Sequence, residues 1–347
     1  MGHPMHSFDM SIRRIGFACK WSEINKKGEL ASTQGLNTGG TTYAWAKRNH
    51  ATQVEAKIID VAKTNIMNTH ALIKKVAQLP KPLRMLRLTS DMLSFYTMDE
   101  YKYFWKSTEV QNMLAKWFAP LGDTARANDV RLSFHPDQFV VLASDRPEVV
   151  NKSIEEFEYH VDMARWMGYG RKFQDIKINV HISGRAGPEG IRRAYKRLSP
   201  EARNSLTIEN EEISWGLDSC LELADLVPIV LDIHHHWIHT GEYIEKTDDR
   251  IKRVRDSWRS VRPAMHYSVS REDVLTSHSR HERPDLRALL EAGHNKQKLR
   301  AHSDYYWNDA VNNWAVTHNE WADIMCESKA KNLASFKLFE DKLQYVG

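Results

Sequence analysis

Short apolar runs alternate along the chain with longer amphipathic stretches. Eight runs read as strands: 13–21 (RRIGFACKW), 83–91 (LRMLRLTSD), 130–139 (VRLSFHPDQF), 176–184 (IKINVHISG), 205–212 (SLTIENEE), 227–236 (VPIVLDIHHH), 264–270 (AMHYSVS) and 298–306 (KLRAHSDYY). Each is short and mostly apolar, as parallel strands covered on both faces must be. Helical patterns fill the gaps. Residues 53–79 place Ile58, Ile59, Ala62, Ile66, His70, Ile73 and Val76 near a 3.6-residue period,. Residues 99–118 are Trp-rich and amphipathic, and 147–167 opens with Pro147 and an acid, which suits a first turn,. Residues 200–203, 217–226 and 243–260 predict shorter helices, and 314–345 predicts a long one that closes the chain. Residues 22–49, with Thr38-Gly39-Gly40-Thr41, read as a long loop. Strand and helix repeated in one direction predict an α/β fold, a single (β/α)₈ TIM barrel over 1–347 with its core at 13–331 and a long C-terminal helical segment. A doubly wound open sheet is the competing arrangement.

Composition narrows the class. Of 347 residues, 41% are hydrophobic and 27% charged, which supports a packed core and argues against disorder,. Lys and Arg number 49 against 45 acids, a net of +4, too mild for a polybasic tail. No apolar run approaches the roughly 20 residues of a membrane span. The start, MGHPMHSFDM, has no apolar stretch behind a basic segment, so no secretory leader is expected,. Cys19, Cys220 and Cys326 are too few and too scattered for a disulfide framework or a zinc knuckle,. A cytoplasmic, reducing location and a monomer are expected. Residues 250–300 hold 13 Lys or Arg against 6 acids, a net of +7 that leaves −3 for the rest. That run is either a solvated face or a phosphate-contacting rim. Trp45, Trp105, Trp117, Trp258 and Trp321 read as packing residues.

Histidine is the outlier, with 17 in the chain. A parallel barrel carries its active site at the C-terminal strand ends, and these ends share one chemistry. The third predicted strand ends in His135 and the fourth in His181. The fifth ends in Glu209 with Glu211 and Glu212, and the sixth in Asp232 with His234, His235 and His236. The seventh carries His266 and the eighth His302 with Asp304; Glu327 lies beyond, in the last predicted helix. Gathered at one rim, the carboxylates would repel one another unless cations offset them. A nitrogen and oxygen shell without cysteine suits Mn²⁺, Zn²⁺ or Fe²⁺ more than Mg²⁺. The number of donors exceeds one tetrahedral site, so two or three divalent ions are expected. Such sites favour hydrolysis at phosphorus. Glu211 and Glu212 read as loop acids or as a layer behind the ligands. His234 and His236 would alternate in direction with His235 if the strand continued, as core or outer-layer residues.

FHPDQF, the histidine ending the fourth strand, TIENEE, LDIHHH, MHYS, AHSDY and the glutamate of IMCESKAK stand in an order that resembles the UV damage endonuclease family. The resemblance runs from about Arg13 to Lys331. It implies a TIM barrel related to endonuclease IV and xylose isomerase, holding up to three metals, usually manganese. The implied ligands are His135, His181, Glu209, Asp232, His235, His266, His302 and Glu327, with Glu209, Glu327 and His266 as catalytic residues. The implied activity is incision of UV-damaged double-stranded DNA 5′ to a photoproduct, leaving 3′-hydroxyl and 5′-phosphate ends, with abasic sites also cut. The implied lesion wedge is Gln138-Phe139, where the family carries Gln-Tyr. Ala264 stands where the family generally has a modified lysine, and Phe17 and Trp21 where it often has Tyr and Asn. A metal-dependent sugar isomerase, an endonuclease IV-like abasic-site nuclease and an inactive DNA-binding relative are the alternatives.

Overall fold

Runs of two to five buried residues form the staves of a barrel, because both faces of each strand are covered. In the computed structural model, which describes residues 6–344, the staves are β1 (Ile15–Ala18), β2 (Met85–Leu88), β3 (Arg131–Phe134), β4 (Lys177–His181), β5 (Leu206–Glu209), β6 (Ile229–Val230), β7 (Ala264–Tyr267) and β8 (Asp323–Cys326). They are parallel, and the ladder runs β6-β5-β4-β3-β2-β1-β8-β7. The two ends of that ladder meet where His266 N–H donates to the Leu231 carbonyl at 3.0 Å, beside a bridge between Asp232 and His266. The predicted (β/α)₈ barrel is therefore present. Met1–Met5, part of the stretch read as lacking a leader, and Tyr345, the predicted end of the last helix, lie outside the described residues.

Seven predicted strands hold, and the eighth does not. Residues 298–306 form the end of a short helix, Lys296–Leu299, and a loop in which His302 bridges Ser270. The eighth stave is Asp323–Cys326, inside the stretch predicted as one long helix. That stretch is broken into Asp309–Ala315, a 3₁₀ turn at Val316–Glu320, β8 and a helix at Asn332–Lys342. The long C-terminal helical segment is thus corrected, and Glu327 leaves the end of a strand instead of sitting mid-helix. Four residues, DIMC, are too few to show a period against their Trp- and Ala-rich surroundings. A small hairpin, Ser22–Ile24 with Leu30–Ser32, occupies part of the predicted loop.

Helices cover the barrel. The first long one, α1 (Ala51–Ala77), buries Ile58, Ala62, Ile66, Ile73 and Val76 as its period predicts. Next come α2 (Thr108–Ala127), capped by Ser107, and α3 (Pro147–Trp166), with proline in its first turn,. A helix absent from the sequence reading, α4 (Gly187–Tyr195), packs against the short helix Leu217–Leu221. Trp105 and Trp258 are fully buried, Trp321 is buried, and Trp45 and Trp117 are half-buried against the core, so the packing assignment holds. Among the described residues no helix is long and apolar enough to cross a membrane.

The barrel interior is graded. At the N-terminal strand ends Asp323 accepts from Arg131 Nη1 at 2.8 Å and from Arg262 Nε at 2.6 Å, and the Arg14 guanidinium lies 3.8 Å away. Phe8 lies under Arg131 and Arg14, 4.3 and 5.3 Å from its ring centre. Removing one partner of such a buried set costs about 3–5 kcal/mol. This plug closes one end, so a substrate must approach the other. Above it, β4 turns Lys177, Asn179 and His181 inward at every second residue,. The register sets His181 opposite Glu209.

Candidate metal centre

Glu209 is fully buried at the centre of the open rim. Its Oε2 lies 3.2 Å from His135 Nε2 and 3.3 Å from His181 Nε2. Its Oε1 lies 3.1 Å from His266 Nδ1 and 3.4 Å from His235 Nδ1. Asn179 donates to the same carboxylate. Three overlapping triads result: His135, His181, Glu209; His135, His266, Glu327; and Glu209, Asp232, His266. Within each triad the donor atoms lie within 4.8 Å of one another. Six of the eight predicted ligands are thus brought together. His235 adjoins them, with Nδ1 3.6 Å from Asp232 Oδ2. His302 reaches the edge from its loop, half-buried and within the fields of Glu327 and His235.

Local structure aims these groups. His135 Nδ1–H donates to the Pro136 carbonyl at 2.9 Å, which leaves Nε2 for the pocket,. Asp232 caps the helix α5 (Ile233–Thr240), accepting His235 N–H at 2.7 Å. The loop after β4 turns at Gly184, φ 111°, where a Cβ would stand 2.3 Å from the Ala143 carbonyl oxygen,. The loops beyond His135 and His181 therefore pack backbone against backbone.

The electrostatics fit a cation. Asp232 Oδ2 is buried without a hydrogen-bond partner, although His235 Nδ1 stands 3.6 Å away, and an unmet hydrogen bond of this kind costs about 1–3 kcal/mol. Burial, then the charges of Glu209 and Glu327, outweigh His235 and push Asp232 well above the usual carboxylate range. Burial would raise Glu209 too, but His266 and His181 overcome it and hold that group well below. Burial likewise opposes Glu327, which Arg87 and His266 hold low. The carboxylates cannot all ionise together unaided. Burial lowers His135 to about 4, and lowers His266 and His302, so these imidazoles present lone pairs at neutral pH. Burial opposes His235, but Asp232, Glu209 and Glu212 raise it to about 9. A divalent cation bound there would offset the same carboxylates and release the proton from His235. The donor set is nitrogen and oxygen and suits a divalent metal.

Several neighbours escaped the sequence reading. Arg87 pairs with Glu327, Lys177 Nζ lies 3.0 Å from His266 Nε2, and Asn210 bridges to the backbone of Asp232. Their signal is a polar side chain at the inward position of an otherwise apolar strand. Glu211 bonds Ser183, and Glu212 reaches Arg300 at 2.7 Å and His235 at 3.7 Å, so both lie behind the ligands. His234 and His236 are buried on helix α5 and do not continue the strand. Ala264 packs among Phe8, Met85, Val230 and Met325. Phe17 is buried against Trp21 and Phe336, out of reach of any substrate. Gln138 and Phe139 project from the rim loop, with Phe139 80% exposed. The basic run divides: Lys252, Arg255 and Arg262 line a groove at the plugged end, while Arg300 pairs with Glu212 beside the pocket.

The sequence model of the UV-endonuclease UvdE family matches residues 13–347. The chain belongs to the UV-endonuclease family. Within that family it is 23% identical over 312 residues to the UV DNA damage endonuclease of Bacillus cereus (strain B4264), covering 86% of this chain and 87% of that protein. It is 28% identical over 268 residues to the UV-damage endonuclease of Neurospora crassa, covering 69% of this chain but 40% of the longer fungal protein. The crystal structure of SacUVDE superposes with a TM-score of 0.70 at 22% identity, over 94% of this chain and 97% of that one. Endonuclease IV from Thermus thermophilus superposes with a TM-score of 0.50 at 12% identity, over 78% of this chain and 91% of that one. These solved structures share the barrel fold of the UV-endonuclease chain.

Proposed function

We propose that this UV-endonuclease family member nicks double-stranded DNA on the 5′ side of UV photoproducts, with a role at abasic sites, leaving 3′-hydroxyl and 5′-phosphate ends. Membership of the family makes it an endonuclease of UV-damaged DNA. The observation that carries the metal-dependent reading is the convergence of His135, His181, Glu209, Asp232, His266 and Glu327 from six strand ends. With His235 and His302 they would hold two or three divalent ions, manganese foremost. Bound there, the ions would activate the attacking water and stabilise charge on the phosphate and the leaving 3′-oxygen.

The chain's own residues do the rest. Glu209, Glu327 and His266 form the floor on which the scissile phosphate rests. Neutral His135 and His302 keep lone pairs directed inward. Arg87 holds Glu327 in one orientation, and Asn179 does the same for Glu209. The pocket is recessed, so damaged nucleotides must leave the stack, which costs least where stacking is already poor. Gln138 and exposed Phe139 are placed to occupy the gap. A monomer acting inside the cell suffices, since every group comes from one chain.

An end-labelled duplex carrying one cyclobutane dimer, incubated with and without Mn²⁺, tests this. One cut immediately 5′ to the dimer, lost on chelation, is expected. A cut elsewhere, or none with any divalent metal, overturns the reading.

A further inference from the structure

The ends of β2, β1 and β8 lie side by side and carry a second group of charges next to Glu327. Arg87, on β2, pairs with that carboxylate. Just past β1, Cys19 N–H donates to the Arg87 carbonyl at 2.8 Å, so Lys20 leaves the barrel at the same place. Lys331 follows Glu327 by four residues. Its half-buried side chain lies within the fields of Cys19, Arg87, Glu327 and Lys20, and makes no ion pair among the described residues. Arg87 and Lys331 therefore share one carboxylate, with Lys20 beside Lys331, and that carboxylate already faces the metal pocket.

The backbone holds this grouping against local preference. Cys19 and Lys331 both have positive φ, 71° and 55°, although neither is glycine,. Lys331 is also the N-cap of helix α6 (Asn332–Lys342), whose first turn has no acidic residue. A cation at a helix N-terminus opposes the helix dipole. Lys331, at the wrong end of a helix and close to Arg87 and Lys20, makes no ion pair among the described residues, so positive charge here exceeds the single negative charge of Glu327. An incoming anion would offset it.

We propose that Lys331 and Lys20, with Arg87 behind them, form a phosphate seat beside the metal pocket that holds a DNA phosphate neighbouring the scissile one. The seat lies on the side of the pocket opposite β5, so it fixes how the backbone enters. It rests on the DNA-nicking reading and assigns Lys331 as a substrate-positioning residue.

The test uses the full chain with Mn²⁺ and a dimer-containing duplex in which single phosphates of the lesion strand are replaced, one at a time, by neutral methylphosphonate. Lys331→Gln is expected to weaken duplex binding about tenfold, the worth of roughly one charge-assisted contact. Bound manganese stays unchanged, and Lys331→Arg restores affinity. One methylphosphonate position should weaken the wild-type protein and cost Lys331→Gln nothing further. The proposal is overturned if Lys331→Gln binds as wild type, or if every methylphosphonate penalty survives in it. Should Lys331→Gln fail to fold, Lys20→Gln, on an exposed residue, reads the same position by the same criteria. Failure of the wild-type protein to nick would overturn the nuclease reading, while the binding comparison would still decide the seat.

Discussion

One oxygen of Asp232 accepts His235 N–H at 2.7 Å, and the other is buried in the pocket with no hydrogen-bond partner. The same carboxylate starts a helix and faces the metal pocket, and the two tasks are separable. Asparagine caps a helix as well as aspartate, whereas alanine costs about 1 kcal/mol. Asp232→Asn is therefore expected to keep the thermal midpoint of the metal-free protein while weakening manganese binding at least about tenfold. Asp232→Ala should lose both. Calorimetry and metal titration on the two variants check this, and wild-type metal affinity in Asp232→Asn would remove Asp232 from the ligand set.

Glu209 touches His135, His181, His235 and His266, and Glu327 touches Arg87 and His266. Neutralising either leaves cations or imidazolium groups uncompensated, at about 3–5 kcal/mol. Glu209→Gln and Glu327→Gln should each fold by circular dichroism yet show no nicking of a dimer duplex. Near wild-type nicking by either variant would mean that its carboxylate holds no metal.

Most of this site is legible in the sequence because a parallel barrel brings strand ends to one rim whatever the helices do. His135, His181, Glu209, Asp232 and His266 each follow an apolar run, so their placement needs only the strand count. Glu327 is legible from the ordered motifs but not from its surroundings. Its strand is four residues long, and Trp314 and Trp321 around it imitate a helix period. His302 shows the reverse error: a loop with a short apolar start looks like a strand. Arg87 and Lys177 escape notice because a charge in a buried strand looks like an interruption. Here the interior of the barrel is partly polar, and such charges are part of its lining.

Salt dependence separates the two halves of the basic run. Arg271 and Arg280 pair with Asp273 and Asp309, which blunts both. Lys296 and Lys298 lie on the short helix just before Arg300, which pairs with Glu212 beside the pocket, and Lys252 and Arg255 line the plugged end. Each phosphate contact contributes about 0.9 to the slope of log affinity against log salt. Lys296→Gln with Lys298→Gln is expected to lower that slope by about 1 to 2, while Lys252→Gln with Arg255→Gln leaves it unchanged. The opposite pattern would place the duplex at the plugged end.

Two buried histidines outside the candidate ligand set mark the acid limit of the fold. His160 donates to the Glu156 carbonyl and accepts from Ser90 Oγ, both at 2.8 Å. His318 donates to the Ile244 carbonyl and accepts from Trp321 Nε1, both at 3.0 Å. Each is satisfied as the neutral ring, and burial lowers each to about 4. Between the ordinary 6.5 and 4 the unfolded chain binds protons that the folded chain refuses, so stability falls as pH drops through that window. The loss approaches about 3 kcal/mol per ring at full effect. Urea midpoints of metal-free protein should fall from pH 7 to pH 5, and less steeply in His318→Gln. A flat midpoint would mean that the rings protonate without unfolding.

Phe139 is the exposed aromatic on the rim, four residues past His135 and one past Gln138. An aromatic ring 80% exposed in water contributes little to the fold, so its removal should not disturb the barrel. In a gap left by two extruded nucleotides the same ring would stack, at about 1–3 kcal/mol per base, while Gln138 meets the bases opposite. Undamaged duplex offers no such gap. Phe139→Ala is therefore expected to weaken binding to a dimer-containing duplex by about tenfold or more while binding to undamaged duplex changes little, with manganese content and thermal midpoint as in wild type. Phe139→Tyr should retain full discrimination, because the flat face and not the ring edge does the stacking. Gel-shift titrations of the two duplexes with each variant measure this directly. Equal weakening on both duplexes would make the ring a general backbone contact, and loss of manganese would make it a support for His135; either result would move lesion reading to another part of the rim.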